Sequence, residues 1–293
     1  NDYSHDLMTE EAVEWISTQK DQPFFLYLAY CIPHTRFQVP DLGIYADKDW
    51  PDENLKIQAA MVSRMDRDIG RIRSLLEELG LAEDTLIIFN SDNGAHAQDG
   101  TKEFFDTTGG LKGMKRYMTE CGLRSPMLAY WPGTVPAGTT SDHISAFWDF
   151  LPTMAELTGE PVRGRTDGIS MLPELRGQPA KQAKHDYLYW ELYESNRPNC
   201  AVRMGKWKGI VPDRRKGMQI ELYDLSQDEF EQDDVSAQFP EVVDRIRRAM
   251  LEAHEPNLFW DMNNDPLFDY KAACRLNGVE PLDSAWGIEK RRR

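Results

Sequence analysis

Ile87-Ile88-Phe89-Asn90-Ser91-Asp92-Asn93-Gly94 is the stretch that decides the fold. An apolar run from Leu86 to Phe89 stops abruptly in Ser-Asp-Asn-Gly, the pattern of a buried parallel strand that ends in a polar turn. In open α/β sheets, ligands bind just beyond the carboxyl ends of such strands. Asp92 and Asn93 would set a carboxylate and an amide oxygen side by side there, a donor pair suited to a hard divalent cation. The same residues also make an ordinary Asx turn, and the stretch alone does not separate the two readings.

Upstream, residues 55–79 carry Ile57, Met61, Met65, Ile69, Ile72, Leu75, Leu76 and Leu79 at helical spacing, with Gly80 as the natural stop. A long amphipathic helix therefore leads straight into the strand. Before it, residues 24–30 form a continuous apolar run that predicts a second buried strand, and residues 6–20 repeat Leu7, Met8, Ala12, Trp15 and Ile16 as an amphipathic helix. The run of residues 24–30 stops at Cys31-Ile32-Pro33-His34-Thr35, which puts His34 in a loop at a strand end, as Asp92 is. Helix and strand in alternation predict a largely parallel α/β sheet.

Downstream, residues 94–113 are rich in Gly, Thr and charge, too polar for core and typical of a functional loop. Lys112, Lys115, Arg116 and Arg124 follow as a basic cluster in an acidic chain. Residues 126–131 predict another strand. Residues 142–158 predict a helix that Pro152 should kink or split. Residues 159–183 dissolve into Gly, Pro, Arg and Gln and read as a linker. Short strand-like runs at 187–192, 201–204, 207–211 and 222–225 have the spacing of an antiparallel meander. Residues 240–252 predict a helix opened by proline, and the tail from 257 onward has no assignable role.

Composition narrows the partners. A formal net charge of −15 over 293 residues argues against nucleic acid or an anionic membrane surface as the main partner, and no apolar run is long enough to span a bilayer. Cys31, Cys121, Cys200 and Cys274 lack Cys-x-x-Cys spacing and form neither a zinc site nor an obvious disulfide framework. The opening Asn1-Asp2-Tyr3-Ser4 reads as a chain entered partway through.

Four segments together resemble the sulfatases of the alkaline-phosphatase superfamily. They are residues 23–30 with Pro33-His34; Ser91-Asp92-Asn93-Gly94; Leu111-Lys112-Gly113-Met114-Lys115-Arg116 with Glu120, Gly122, Arg124 and Pro126; and residues 201–208 with Glu221-Leu222-Tyr223-Asp224-Leu225. The resemblance implies an α/β, alkaline-phosphatase-like mixed sheet flanked by helices, incomplete here, plus a small C-terminal antiparallel sheet with a helix. The expected division is residues 1–180 as the C-terminal portion of the α/β domain, 181–256 as the antiparallel subdomain and 257–293 as a tail. One departure is large. The family's Cys-x-Pro-x-Arg or Cys-x-Ala-x-Arg motif, whose cysteine becomes the formylglycine nucleophile, occurs nowhere: Cys31-Ile32-Pro33-His34-Thr35 fails at the fifth position and the other cysteines fail at the third. The family's paired aspartates are missing too, so both are expected upstream of this segment, which alone should be inactive.

What the resemblance implies for individual residues follows. Asp92 and Asn93 would ligate a divalent cation, Ca2+ or alternatively Mg2+. Lys115 would contact a sulfate oxygen and the leaving oxygen. His34 would act as general acid or hydrogen-bond donor at the leaving oxygen, and His96 would touch substrate. Lys112 and Arg116 would be surface or rim charges, and Glu120 with Arg124 an ion pair bracing the lysine loop. The implied activity is hydrolysis of an aryl or carbohydrate sulfate in an exported protein. The alternatives are a phosphoester or phosphonate hydrolase of the same superfamily and a truncated relative that binds sulfated glycan without cleaving it. Exposed sheet edges would call for a partner chain or a homo-oligomer.

Overall fold

A computed structural model describes residues 2–96, 100–194 and 197–255, so the tail from residue 257 lies outside the described residues. Helix α1, Ser4–Thr18, buries His5, Thr9, Ala12 and Ile16 on one face. Helix α2, Glu53–Glu78, begins where the Asp52 carboxylate accepts the Asn54 N–H at 2.8 Å. It ends in a Schellman motif, with Leu81 N–H donating to the Leu76 carbonyl at 2.8 Å and Gly80 N–H to Glu77 at 3.1 Å. Gly80 takes φ +70° there, which a side chain would resist. The two helices are joined by polar contacts: Arg64 holds Asp6 at 2.6 Å, and His5 Nε2 meets the Asp68 carboxylate at 3.0 Å.

Two strand predictions need correction. Strand β1, Ile87–Asn90, is where the apolar run predicts a strand, but it pairs antiparallel with β2, Met127–Tyr130, in the register Asn90 to Met127. A parallel neighbour needs a crossover helix of full length. Among its described residues the connection here carries only α3, Thr101–Phe105, and α4, Glu120–Leu123, which let the chain turn back on itself. Residues 24–30 carry no regular secondary structure and join no ladder among the described residues. Their exposure alternates: Phe25 and Tyr27 are 75% and 81% exposed, while Phe24 packs edge-on against Trp15 and the Tyr30 hydroxyl bonds Thr9 at 2.8 Å. The segment covers α1 with one face and leaves the other uncovered.

The polar stretch 94–113 also contributes to the interior, for Thr101 and Thr108 are buried. Helix α5, Phe150–Thr158, starts later than its apolar pattern suggests, so Pro152 falls in its first turn and neither kinks nor splits it. Residues 159–183 are more structured than a bare linker. They contain α6, Leu172–Leu175, and buried Gln182, whose side-chain oxygen accepts the Glu174 N–H at 3.0 Å and whose amide donates to the Ser170 carbonyl at 2.8 Å.

The C-terminal meander forms as the strand spacing predicts. Strands β3, Leu188–Glu194, β4, Arg197–Met204, β5, Trp207–Val211, and β6, Glu221–Asp224, pair antiparallel in chain order. Helix α7, Pro240–Ala253, lays Val242, Ile246, Ala249 and Met250 on Val202, Val211 and Leu222. Gly209 permits the approach, since a Cβ there would lie 2.6 Å from Ile246 Cγ2. The architecture is thus mixed α/β with a small antiparallel sheet. No described helix is long and apolar enough to cross a membrane.

Candidate active site

The turn after β1 is locked onto the loop that carries Lys115. Ser91 Oγ donates to the Asn93 carbonyl at 3.1 Å, and Asn93 Nδ2 donates to the Gly94 carbonyl at 2.9 Å. Gly94 N–H then bonds the Gly122 carbonyl at 3.2 Å, and Lys115 N–H bonds the Ala95 carbonyl at 2.7 Å. Both glycines are required for space. A Cβ at Gly94 would sit 1.6 Å from the Cys121 carbonyl oxygen, and one at Gly122 would sit 2.0 Å from that of Tyr117. Cys121 is buried in this seam as a free thiol, and burial pushes its pKa up.

His34 reaches the same place from just beyond residues 24–30. Its Nδ1 lies 2.7 Å from the Thr35 carbonyl, which can only accept, so Nδ1 carries a proton. In the neutral ring Nε2 is then an acceptor, and the Lys115 ammonium stands 3.5 Å from it as donor. His34, Asp92, Asn93, His96 and Lys115 all line one broad cleft of about 2520 Å³. Of these, His34 and Asp92 are exposed and the other three half-buried.

As cation ligands, Asp92 and Asn93 fit by donor type and fall short by number. Both offer oxygen, as a hard divalent ion prefers, but Ca2+ takes about six to eight oxygens. Among the described residues no group of three or more His, Cys, Asp or Glu side chains is placed to hold a metal ion.

The basic cluster divides into unlike roles. Lys112 is not a rim charge: its Nζ donates to the Glu231 carbonyl at 2.8 Å and lies 4.9 Å from the centroid of the Tyr223 ring. Arg116 is exposed at the cleft with a left-handed φ of +82°. Glu120 does brace the loop, but its ion-pair partners are Lys208 at 2.7 Å and Arg203 at 3.5 Å, and Arg124 only continues the backbone turn. The expected Glu120–Arg124 pair does not form because the antiparallel sheet brings two cations nearer. Sequence reasoning missed Lys208 and Glu231 entirely. A lysine inside the apolar strand Trp207-Lys208-Gly209-Ile210-Val211 was the available signal.

A family model described as Sulfatase matches residues 1–160, and one described as N-sulphoglucosamine sulphohydrolase, C-terminal, matches residues 110–255. Human arylsulfatase A is 29% identical over 290 residues, covering 95% of this chain and 49% of its own length. Human steryl-sulfatase is 33% identical over 188 residues, covering 62% of this chain and 31% of its own. This chain therefore spans about half or less of the curated relatives it matches. The crystal structure of Ps i-CgsB superposes with a TM-score of 0.73 at 28% identity, over 97% of this chain and 61% of that one, as does its complex with k-i-k-neocarrahexaose.

Proposed function

The chain belongs to the sulfatase family, and from that premise we propose that it forms the leaving-group side of a sulfuric ester hydrolase acting on a carbohydrate or aryl sulfate. The observation that carries the proposal is the contact of Lys115 with His34 over the cleft that the Asp92–Asn93 turn also lines. Cleaving a sulfate ester requires a nucleophile at sulfur, neutralisation of the non-bridging oxygens and a proton for the departing oxygen. The last two can be met by residues of this chain.

Lys115 is a compact ammonium suited to a developing charge on oxygen. With the His34 Nδ1 proton held by Thr35 and Nε2 accepting, the Lys115 ammonium is the group with a proton to give the leaving oxygen, and His34 orients it. His34 is held in place by the Thr35 carbonyl at 2.7 Å. Asp92 and Asn93 would contribute two oxygen ligands to a Ca2+ or Mg2+ ion, and His96, on the same cleft wall, would contact the substrate. A metal ion held there supplies positive charge to the sulfate oxygens, and formylglycine, where the family motif provides it, supplies the nucleophile. The bound neocarrahexaose of a structural relative supports a carbohydrate substrate. Export from the cytoplasm belongs to the same family-based reading.

The test is made in the full-length protein, co-expressed with a formylglycine-generating enzyme and assayed on a chromogenic aryl sulfate and on sulfated oligosaccharides. Turnover is expected, with K115A reduced by about 100- to 1,000-fold in kcat. A matured protein without turnover on any sulfate ester, or K115A turning over at the unmodified rate, overturns the reading.

A further inference from the structure

The loop that carries Lys115 is closed by one residue from the C-terminal subdomain. Glu231 is fully buried and adopts a left-handed φ of +54° that costs a side-chain-bearing residue strain. Its carbonyl accepts from Lys112 Nζ at 2.8 Å, and its carboxylate Oε2 accepts the Glu120 N–H at 2.7 Å. Lys112 and Glu120 flank Lys115 on either side, and the Cys121 N–H bonds the Lys112 carbonyl at 3.2 Å to shut the loop. Glu231 thus grips both ends of the segment with two different groups.

The charge arrangement explains how two carboxylates tolerate burial there. Lys208, on β5 and itself fully buried, places its Nζ 2.7 Å from Glu120 Oε1 and 3.2 Å from Glu231 Oε1. Arg203 adds a second cation 3.5 Å from Glu120 Oε2. A buried ionic cluster of this kind contributes little net stability, yet removing one member leaves another charge unpaired. What such a cluster can supply is a fixed geometry, and the geometry it fixes here is that of the Lys115 loop.

We propose that Glu231, neutralised by Lys208, is a positioning residue for Lys115: the clasp holds loop 112–120 so that the ammonium stays against His34, and it governs turnover without touching substrate. The inference rests on the role assigned to Lys115 above. It gives the antiparallel subdomain a part in the chemistry, 88 residues away in sequence from the carboxylate its lysine holds.

The test uses the full-length, matured enzyme with K208M, E231Q, the double variant K208M/E231Q, K112M and K115A side by side. K208M and E231Q should each lower kcat by about 10- to 100-fold, with KM changed less than about twofold, because a displaced catalytic group is lost in the transition state rather than in binding. K208M takes from Glu231 the cation that faces it while Glu120 keeps Arg203, so adding E231Q should recover part of the loss, a rescue that simple loss of packing does not give. Hydrogen exchange should quicken at the Glu120 and Cys121 amides in both single variants, a readout independent of turnover. K112M removes only one bond of the clasp and should cost about threefold in kcat; it decides the matter if the buried variants fail to fold. Unchanged kcat in E231Q, K208M and K112M, with K115A impaired, overturns the clasp alone. Unmodified turnover in K115A overturns the underlying reading, and the exchange data then still show whether the clasp holds the loop.

Discussion

Lys115 Nζ lies 3.5 Å from His34 Nε2, a contact between side chains 81 residues apart in sequence. The proton on Nδ1, held by the Thr35 carbonyl, makes Nε2 the acceptor, so each side chain helps to orient the other. Removing either should cost about 100-fold or more in kcat, and the double variant H34A/K115A should cost much less than the product of the two. Single-turnover kinetics on a matched series of aryl sulfates would measure the coupling. Strictly multiplicative losses would mean that the two groups act separately.

Asp92 and Asn93 predict a graded metal dependence. Chelation should abolish turnover and Ca2+ restore it. D92N removes the charge of a proposed ligand and should raise the Ca2+ concentration for half-activation by about 10- to 100-fold, with N93A shifting it less because only a neutral oxygen would be lost. Titrating Ca2+ into the chelated full-length variants reads this directly. A D92N curve that overlays the unmodified protein would remove Asp92 from the metal site.

Much of this architecture is legible in the sequence, and its gaps have physical causes. Helices α1, α2 and α7 are marked by apolar residues at helical spacing, with Gly80 and Pro240 as punctuation. The direction of β1 is not legible, because an apolar run of four residues carries no record of its neighbour's polarity. Residues 24–30 mislead for a related reason: Phe, Phe, Leu, Tyr, Leu, Ala and Tyr are apolar at every position, so the alternation in exposure leaves no trace. Pro152 misleads because Ile144 and Phe147 extend the apolar pattern beyond the true start of α5. Single residues of the site, His34 above all, are ordinary loop residues until the family resemblance joins them. The Glu231–Lys208–Glu120 cluster leaves only the trace of a lysine in an apolar strand, because Glu120 meets its two partners from 88 and 111 residues away.

The His5–Asp68 pair predicts a loss of stability in acid. Burial is the largest influence on His5 and pushes its pKa below the ordinary value of about 6.5, with the Asp68 carboxylate opposing only in part. Asp68 is itself pushed up by burial, but its bonds to Arg67 at 2.8 Å and 2.9 Å and to Arg71 at 3.4 Å outweigh this and keep it ionised. Neutral His5 donates from Nε2 to Asp68, while Nδ1 is buried with no hydrogen-bond partner among the described residues, so a second proton there would be stranded. The unfolded chain binds that proton as pH falls through about 6.5, and the folded chain resists it. The contribution is therefore present above about 6.5 and lost progressively below, down to the depressed folded value. Melting temperatures between pH 8 and pH 5 should fall more steeply for the unmodified protein than for H5Q, which keeps a donor but does not titrate. Equal slopes would exclude His5 as a source of the acid sensitivity.

Gly94 and Gly70 should respond oppositely to the same substitution. A Cβ at Gly94 would meet the backbone of Cys121 at 1.6 Å and of Arg124 at 2.9 Å, and a backbone cannot yield as a side-chain tip can. G94A must therefore part the Asp92 turn from the Lys115 loop. The expected cost is at least about 1–3 kcal/mol, as for overpacking elsewhere, together with loss of turnover because the Lys115 N–H is bonded to Ala95 across the same seam. Gly70 lies inside α2 with no neighbouring atom within 4 Å of an added Cβ. There the methyl group only restricts the unfolded chain and favours helix, so G70A should stabilise by up to about 1 kcal/mol with kcat unchanged. Denaturant unfolding of the two variants, alongside turnover in the full-length protein, separates steric exclusion at the seam from a general intolerance of substitution. G94A as stable and active as the unmodified protein would show that the two loops are not interlocked.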